Sequence, residues 1–182
     1  LDPLDRFSRS VAPLRQPTAG SWRIGVAAPL GSPFDADDQA AVEQVADRLA
    51  GALGAGGVAT TVPLDDFVAA GDLLYGGAWL AERYASVGAF IDAHPGDVHP
   101  VVAELIGGAR SLRAADVFAD QHLLAELRRR TAPVWNEIDV LVLPTAPSLP
   151  TVDAVLADPI TENARLGVAT TFVNLLDLTA LA

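Results

Sequence analysis

Apolar and amphipathic stretches alternate near the start of the chain in a pattern that predicts a strand–helix–strand unit. Trp22 to Ala27 and Val58 to Val62 are short and rich in apolar or β-branched residues, as strands are. Between them, a cluster of carboxylates that opens with Asp35 favours the beginning of a helix, which we predict to continue to about Leu53. Apolar residues four apart mark its expected buried face: Ala41, Val45, Leu49 and Leu53. Two strands joined by a helix in this way are expected to run parallel.

Helical patterning dominates the middle of the chain, from Asp65 to about Ile138. We predict breaks at three turn-forming sites: Gly76-Gly77, His94 to Asp97 and Gly107-Gly108. The last predicted helix of this region spans about Ala114 to Glu137, with a kink at Pro133.

A third strand is predicted at Asp139 to Leu143, where an unbroken apolar run is typical of a central strand covered on both faces. A proline-punctuated loop, Pro144 to Pro159, follows it. Short helices are expected around Ile160 to Leu166 and Phe172 to Leu178. Residues 1–21 are predicted to be extended and loop-like, with prolines at Pro3, Pro13 and Pro17. These elements predict an α/β fold, with a mixed β-sheet flanked by helices.

Composition narrows the possible functions. The chain has 182 residues, a formal net charge of −11, and no cysteine, methionine or lysine. An acidic chain disfavours nucleic-acid binding, and its one basic run, Arg128 to Arg130, is expected to be a solvated helix face. The three histidines have no metal-ligand spacing, so we expect them to be structural or exposed, and we predict no metal site. No apolar run is long enough for a membrane span, which favours a soluble cytoplasmic protein.

The candidate chemistry lies in the stretch Leu73 to Tyr84, which places a phenol and a guanidinium eight residues apart, at Tyr75 and Arg83. In one continuous helix they would stand roughly 12 Å apart along the axis, but the Gly76-Gly77 break allows the chain to fold back. An arginine can hold a planar carboxylate through two parallel hydrogen bonds. From spacing alone, an ion pair between Arg83 and Glu82 at the surface, and a core-edge role for Tyr75, are the more common explanations of these residues.

Neighbouring polar and aromatic residues are assigned structural roles. Trp79 is four residues before Arg83, so it could form an apolar wall of a pocket, although packing in the core explains it more simply. Asn163 and Arg165 are interpreted as a structural polar pair near a helix start.

The stretch Asp139 to Pro147 resembles a strand-to-loop motif found across amidase-signature enzymes. Leu73 to Tyr84, and Ala157 to Gly167 followed by Thr171 to Leu178, resemble the allophanate hydrolases of that family in particular. The opening Asp2 to Arg9 resembles the segment that follows the family's catalytic core. The resemblance spans essentially the whole chain, and it implies a partial amidase-signature domain over residues 1–182. Such enzymes cleave amides with a Ser–cis-Ser–Lys triad, which the resemblance places before Leu1. We therefore assign no catalytic residue in this chain and expect it to be a piece of a longer protein.

The same resemblance implies that Tyr75 and Arg83 bind the carboxylate-bearing substrate allophanate. The parent enzyme would hydrolyse it to ammonium and carbon dioxide in urea degradation, without a cofactor, and the chain alone would be inactive. Two alternatives stay open: a related amidase acting on another carboxylate-bearing amide, and a non-catalytic module that binds a small anion or a protein partner. A homo-oligomer is also possible, because an incomplete sheet would expose strand edges.

Overall fold

The computed structural model describes residues 2–5, 8–10, 18, 21–147 and 149–182. The predictions that concern Pro13, Pro17 and part of the opening Asp2 to Arg9 stretch lie outside the described residues. The α/β class is confirmed.

Three short parallel strands form the sheet: β1 (Ile24–Ala27), β2 (Val58–Val62) and β3 (Val140–Val142). Their order is β2-β1-β3, with Ile24 paired to both Val58 and Val140. The predicted parallel pairing of β1 and β2 is confirmed. A mixed sheet was the expectation, and all three strands that the structure describes run parallel.

The prediction that the third strand is central is wrong for the described sheet, because β1 is the central strand and β3 lies beside it at the edge. The apolar run has a different physical origin. Side chains of a strand alternate between its faces, so Val140 and Val142 pack against one core cluster and Leu141 packs against the other. Both faces are therefore covered although the strand has one sheet neighbour.

Helices account for most of the remaining chain. In order they are α1 (Ala36–Ala52), α2 (Asp65–Gly76), α3 (Leu80–Ala93), α4 (Pro100–Gly107), a 3-10 turn (Gly108–Ser111), α5 (Ala114–Thr131), α6 (Val134–Glu137), α7 (Val152–Ala157), α8 (Pro159–Gly167) and α9 (Thr171–Leu175). All three predicted breaks are confirmed, and the helix predicted up to Glu137 is divided into α5 and α6 at Pro133. The segment predicted as a loop before Pro159 contains α7, which Thr151 caps by accepting a hydrogen bond from the Ala154 amide.

Helix α1 covers one face of the sheet, and its predicted buried face is wrong by one position. Asp35 caps the helix as expected, since its side chain accepts hydrogen bonds from the two amides at Asp37 and Asp38. The buried residues, however, are Val42, Ala46 and Ala50. Small residues let the helix approach Ile24 and Val26 closely, while the bulkier leucines of the predicted face pack half-buried along the border.

The opposite face of the sheet carries the larger core, in which α2, α5 and α9 supply the main helical residues. Phe67 of α2 and Phe172 of α9 meet edge to face, with their ring centroids 5.3 Å apart. All three arginines of the basic run are exposed, as predicted for a solvated face, and Arg128 of α5 in addition donates two hydrogen bonds to the Leu175 carbonyl, which tie α9 to α5. Helix α9 is thereby fixed against α2, the helix that carries Tyr75.

One surface remains strongly apolar. Around α7, large side chains are exposed to solvent: Leu149, Val152, Val155, Leu156 and Ile160. Separately, none of the helices in the described ranges combines the length and the hydropathy needed to cross a bilayer.

Candidate functional site

The site is built around a tight break between α2 and α3. Gly77 is needed there because an added Cβ would stand 2.6 Å from a carboxylate oxygen of Asp120 and 2.8 Å from the Leu73 carbonyl oxygen. The same Asp120 carboxylate accepts a hydrogen bond from the Ala78 amide at 2.6 Å. Helix α5, which carries Asp120, thus fixes the point at which the chain reverses towards α3.

This reversal brings together the two residues that the sequence singles out. The guanidinium carbon of Arg83 lies 4.6 Å from the centroid of the Tyr75 ring, over its face. The contact uses the aromatic face of Tyr75, which attracts a cation through its quadrupole.

A hydrogen bond fixes the guanidinium in place. Nη1 of Arg83 donates to the Leu74 carbonyl oxygen at 2.7 Å. Leu74 lies in the last turn of α2, where carbonyl groups lack an intrahelical donor, so Arg83 supplies the missing partner. Arg83 therefore has a structural role at this helix end, whatever else it binds.

The charge of Arg83 is left without a protein counterion in the described part of the chain. No carboxylate there lies within ion-pairing distance of it, and the surface ion pair with Glu82 does not form. A guanidinium has five N–H donors, and the contact with Leu74 accounts for one. The others give this half-buried cation the capacity to bind an anion.

Tyr75, whose residue surface is 38% exposed, also lines a cavity of about 640 Å³ between α2, α8 and α9. Arg83 is not among the lining residues, but its guanidinium lies over the ring of Tyr75, which does line this cavity. The polar residues of the lining are Asp72, Tyr75, Asn163, Thr170, Thr171 and Asn174. They combine hydroxyl, carboxamide and carboxyl groups, which suits a small polar ligand.

Asp72 connects this cavity to a second one. That smaller cavity, of about 240 Å³, lies against the loop that carries Pro29 and Gly31, and Asp72 and Val168 line both. Asp72 is exposed, but partial desolvation of its carboxyl raises the pKa above its ordinary value, because surroundings of low polarity disfavour the charged form.

The other sequence candidates are placed as follows. Trp79 packs half-buried against the larger core, which supports its packing role, although it also lines a separate cavity beside α5. Arg165 pairs with Glu162 at 3.6 Å, in agreement with a structural role. Asn163, assigned to the same structural pair, instead lines the Tyr75 cavity.

Sequence reasoning thus missed Asn163 and assigned no role to Asn174. No spacing rule could pair them with Tyr75, because they approach it only through the packing of α8 and α9 on α2. Both do lie within the stretch Ala157 to Leu178, which resembles allophanate hydrolases, and that was the available signal.

No metal centre is formed within the described ranges, where no three histidine or carboxylate side chains are grouped to hold an ion. All three histidines are exposed, and His94 stacks on Phe90 with ring centroids 4.6 Å apart.

Comparison with known proteins gives a consistent picture. No protein-family profile matches the chain. The urea amidolyase of Saccharomyces cerevisiae is 38% identical to it over 111 residues, which cover 60% of this chain and 6% of that protein. The urea amidolyase of Lachancea kluyveri is 36% identical over 130 residues, covering 70% of this chain and 7% of that protein.

Solved structures show the same relationship. An allophanate hydrolase from Kluyveromyces lactis superposes with a TM-score of 0.74 at 28% identity, covering 86% of this chain and 25% of that one. The urea amidolyase of K. lactis superposes with a TM-score of 0.72 at 27% identity, covering 86% of this chain and 9% of that one. The chain therefore spans only a small part of the length of each of these relatives.

Proposed function

We propose that this chain, which is related to the allophanate hydrolases, forms the part of such an enzyme that binds the carboxylate of allophanate. Arg83 is the cation and Tyr75 is its aromatic support. The observation that carries the proposal is a half-buried guanidinium, held over the Tyr75 ring and paired with no carboxylate of the described residues.

Electrostatics explain why such a cation is needed. A chain with a net charge of −11 repels a small anion on average, so a local fixed positive charge must offset that field. The hydrogen bond to Leu74 holds one edge of the guanidinium and leaves donors that can form two parallel hydrogen bonds to a carboxylate.

The reaction itself is assigned to the whole enzyme, which we propose hydrolyses allophanate to ammonium and carbon dioxide. In amidase-signature enzymes a lysine serves as the base, and this chain contains no lysine. We therefore expect the 182-residue chain alone to release no ammonium from allophanate above the uncatalysed rate. Ammonium release by the purified chain would contradict this part of the proposal.

Measuring the affinity of the chain for small ligands tests directly whether Arg83 binds a carboxylate. The probe is malonamate, in which a methylene replaces the central nitrogen of allophanate, and malonamide is its neutral counterpart. Calorimetric titration should show that Arg83→Ala weakens malonamate binding by roughly 10- to 100-fold, as expected for charge-assisted hydrogen bonds. The malonamate affinity of Arg83→Lys should lie between those of the unaltered chain and Arg83→Ala, because lysine keeps the charge but lacks the planar arrangement of donors.

Arg48→Ala is the matched control. Arg48 is exposed on α1 and forms no ion pair within the described chain, so its removal changes the net charge equally without touching the site. The Arg48→Ala variant should bind malonamate as tightly as the unaltered chain does. The proposal would be contradicted if Arg48→Ala and Arg83→Ala lost malonamate affinity equally, or if Arg83→Ala lost as much affinity for malonamide as for malonamate. It would also be contradicted if the unaltered chain did not bind malonamate.

A further inference from the structure

The cavity that Tyr75 lines has a chemistry that differs from the surroundings of Arg83. Its described lining includes one carboxylate, Asp72, and no cationic side chain. A ligand that carries a carboxylate at one end is therefore favoured with that end near Arg83 and its neutral end in the cavity, so that both ends lie beside Tyr75.

Two carboxamides in the cavity have hydrogen-bonding capacity to spare. The side chain of Asn163 on α8 forms no hydrogen bond with any described residue, and Asn163 is exposed. Asn174 on α9 makes one long contact, from its amide nitrogen to the Thr171 carbonyl oxygen at 3.5 Å. Each carboxamide offers both donors and an acceptor, which is the complement of an amide or urea group.

We infer that Asn163 and Asn174 bind the amide end of the ligand whose carboxylate Arg83 binds, and so select ureido and amide compounds over simple carboxylates. This inference rests on the proposed function of Arg83. Asn163 is the stronger of the two positions, since Asn174 also lines a neighbouring cavity with Arg9 and Asp177.

Two probes of similar size test the inference on the unaltered chain and its variants, by ligand-observed NMR titration. Malonamate carries an amide and a carboxylate, whereas butyrate keeps the carboxylate and replaces the amide with an apolar end. Asn163→Ala and Asn174→Ala should each weaken malonamate binding about three- to tenfold, the effect of losing a hydrogen bond, and leave butyrate binding within about twofold. Asn136→Ala, at an exposed position on α6, is the matched control and should change neither.

The outcomes separate the two proposals. The amide role of the asparagines is wrong if both cavity variants bind malonamate as tightly as the unaltered chain does. It is also wrong if their affinity for butyrate falls as much as their affinity for malonamate. In either case, weaker binding of both probes by Arg83→Ala still supports carboxylate binding by Arg83. If Arg83→Ala binds both probes normally and the asparagine variants lose malonamate selectively, the proposed function of Arg83 is wrong and amide recognition by the cavity is supported.

Discussion

Gly71 of α2 and Thr171 of α9 meet so closely that no methyl group fits between them. A Cβ built at Gly71 would stand 2.4 Å from the Thr171 hydroxyl oxygen and 3.0 Å from the Phe172 amide nitrogen. Both residues also line the cavity beside Tyr75. This contact therefore sets the distance between the helices that carry Tyr75 and Asn174.

Replacing Gly71 with alanine should destabilise the fold. Overpacking costs about 1–3 kcal/mol, and the better helix propensity of alanine offsets about 1 kcal/mol of it, so the free energy of unfolding should fall by up to about 2 kcal/mol. Urea denaturation measures this change. Gly51→Ala is the control, since an added Cβ meets nothing within 4 Å there and should stabilise α1. Adding Thr171→Ala to Gly71→Ala should recover part of the loss, and a Gly71→Ala variant as stable as the unaltered chain would show that the helices can separate freely.

The contribution of Tyr75 can be divided between its ring and its hydroxyl. Tyr75→Phe keeps the aromatic face under Arg83 and should change the free energy of unfolding by less than about 0.5 kcal/mol. Tyr75→Ala removes the cation–π contact and should cost about 0.5–1 kcal/mol more. Denaturation curves compare the two variants. If Tyr75→Phe is as destabilised as Tyr75→Ala, the hydroxyl supports Arg83 and the ring does not.

A second arginine–tyrosine pair, in which Arg110 contacts Tyr84 of α3, predicts a pH dependence of stability. The Tyr84 hydroxyl donates to Asp92 at 2.6 Å, and Arg110 pairs with the same carboxylate. The hydrogen bond from Tyr84, followed by that from Arg110, lowers the pKa of Asp92 below its ordinary value. The unfolded state then binds the proton more readily, so the stabilisation is present above the unfolded pKa of about 3.9 and is lost as the pH falls through the lower folded pKa.

Thermal melting of Asp92→Asn tests this prediction. Its melting temperature should be lower than that of the unaltered chain at pH 6, and the difference should shrink as the pH falls below about 4. Asp47→Asn is the control, because Asp47 is exposed on α1 and has no ion-pair partner among the described residues. An Asp92→Asn difference that stays constant down to pH 2.5 would show that the carboxylate charge contributes nothing there.

Local sequence patterns were sufficient to predict where helices begin and end. Gly76-Gly77 ends a helix because glycine loses more backbone freedom there than other residues, and Pro133 interrupts one because proline has no amide hydrogen to donate. Asp35 marks a helix start because its carboxylate can accept hydrogen bonds from free amides. The fold-back of Arg83 onto Tyr75 followed from the same reasoning. These signals act over one or two helical turns, so they can be read without knowing the tertiary structure.

Tertiary contacts decided the features that sequence patterns missed. Two apolar stripes on α1 differ by one residue, and the one that contains Ala46 is buried because small side chains allow a closer approach to the sheet. The strand that precedes Pro144 is apolar on both faces, yet this pattern does not reveal how many strands flank it. Asn163 and Asn174 meet Tyr75 only after α8 and α9 have packed, which no local pattern encodes.

The anchoring of Arg83 on the Leu74 carbonyl and the Tyr75 ring has a thermodynamic consequence. A free arginine side chain carries about 2 kcal/mol of rotamer entropy, which it would lose upon gripping an anion. In this chain, Arg83 loses much of its rotamer entropy during folding, before any ligand binds. If Arg83 binds a carboxylate as proposed, that ligand therefore meets a side chain that is already ordered.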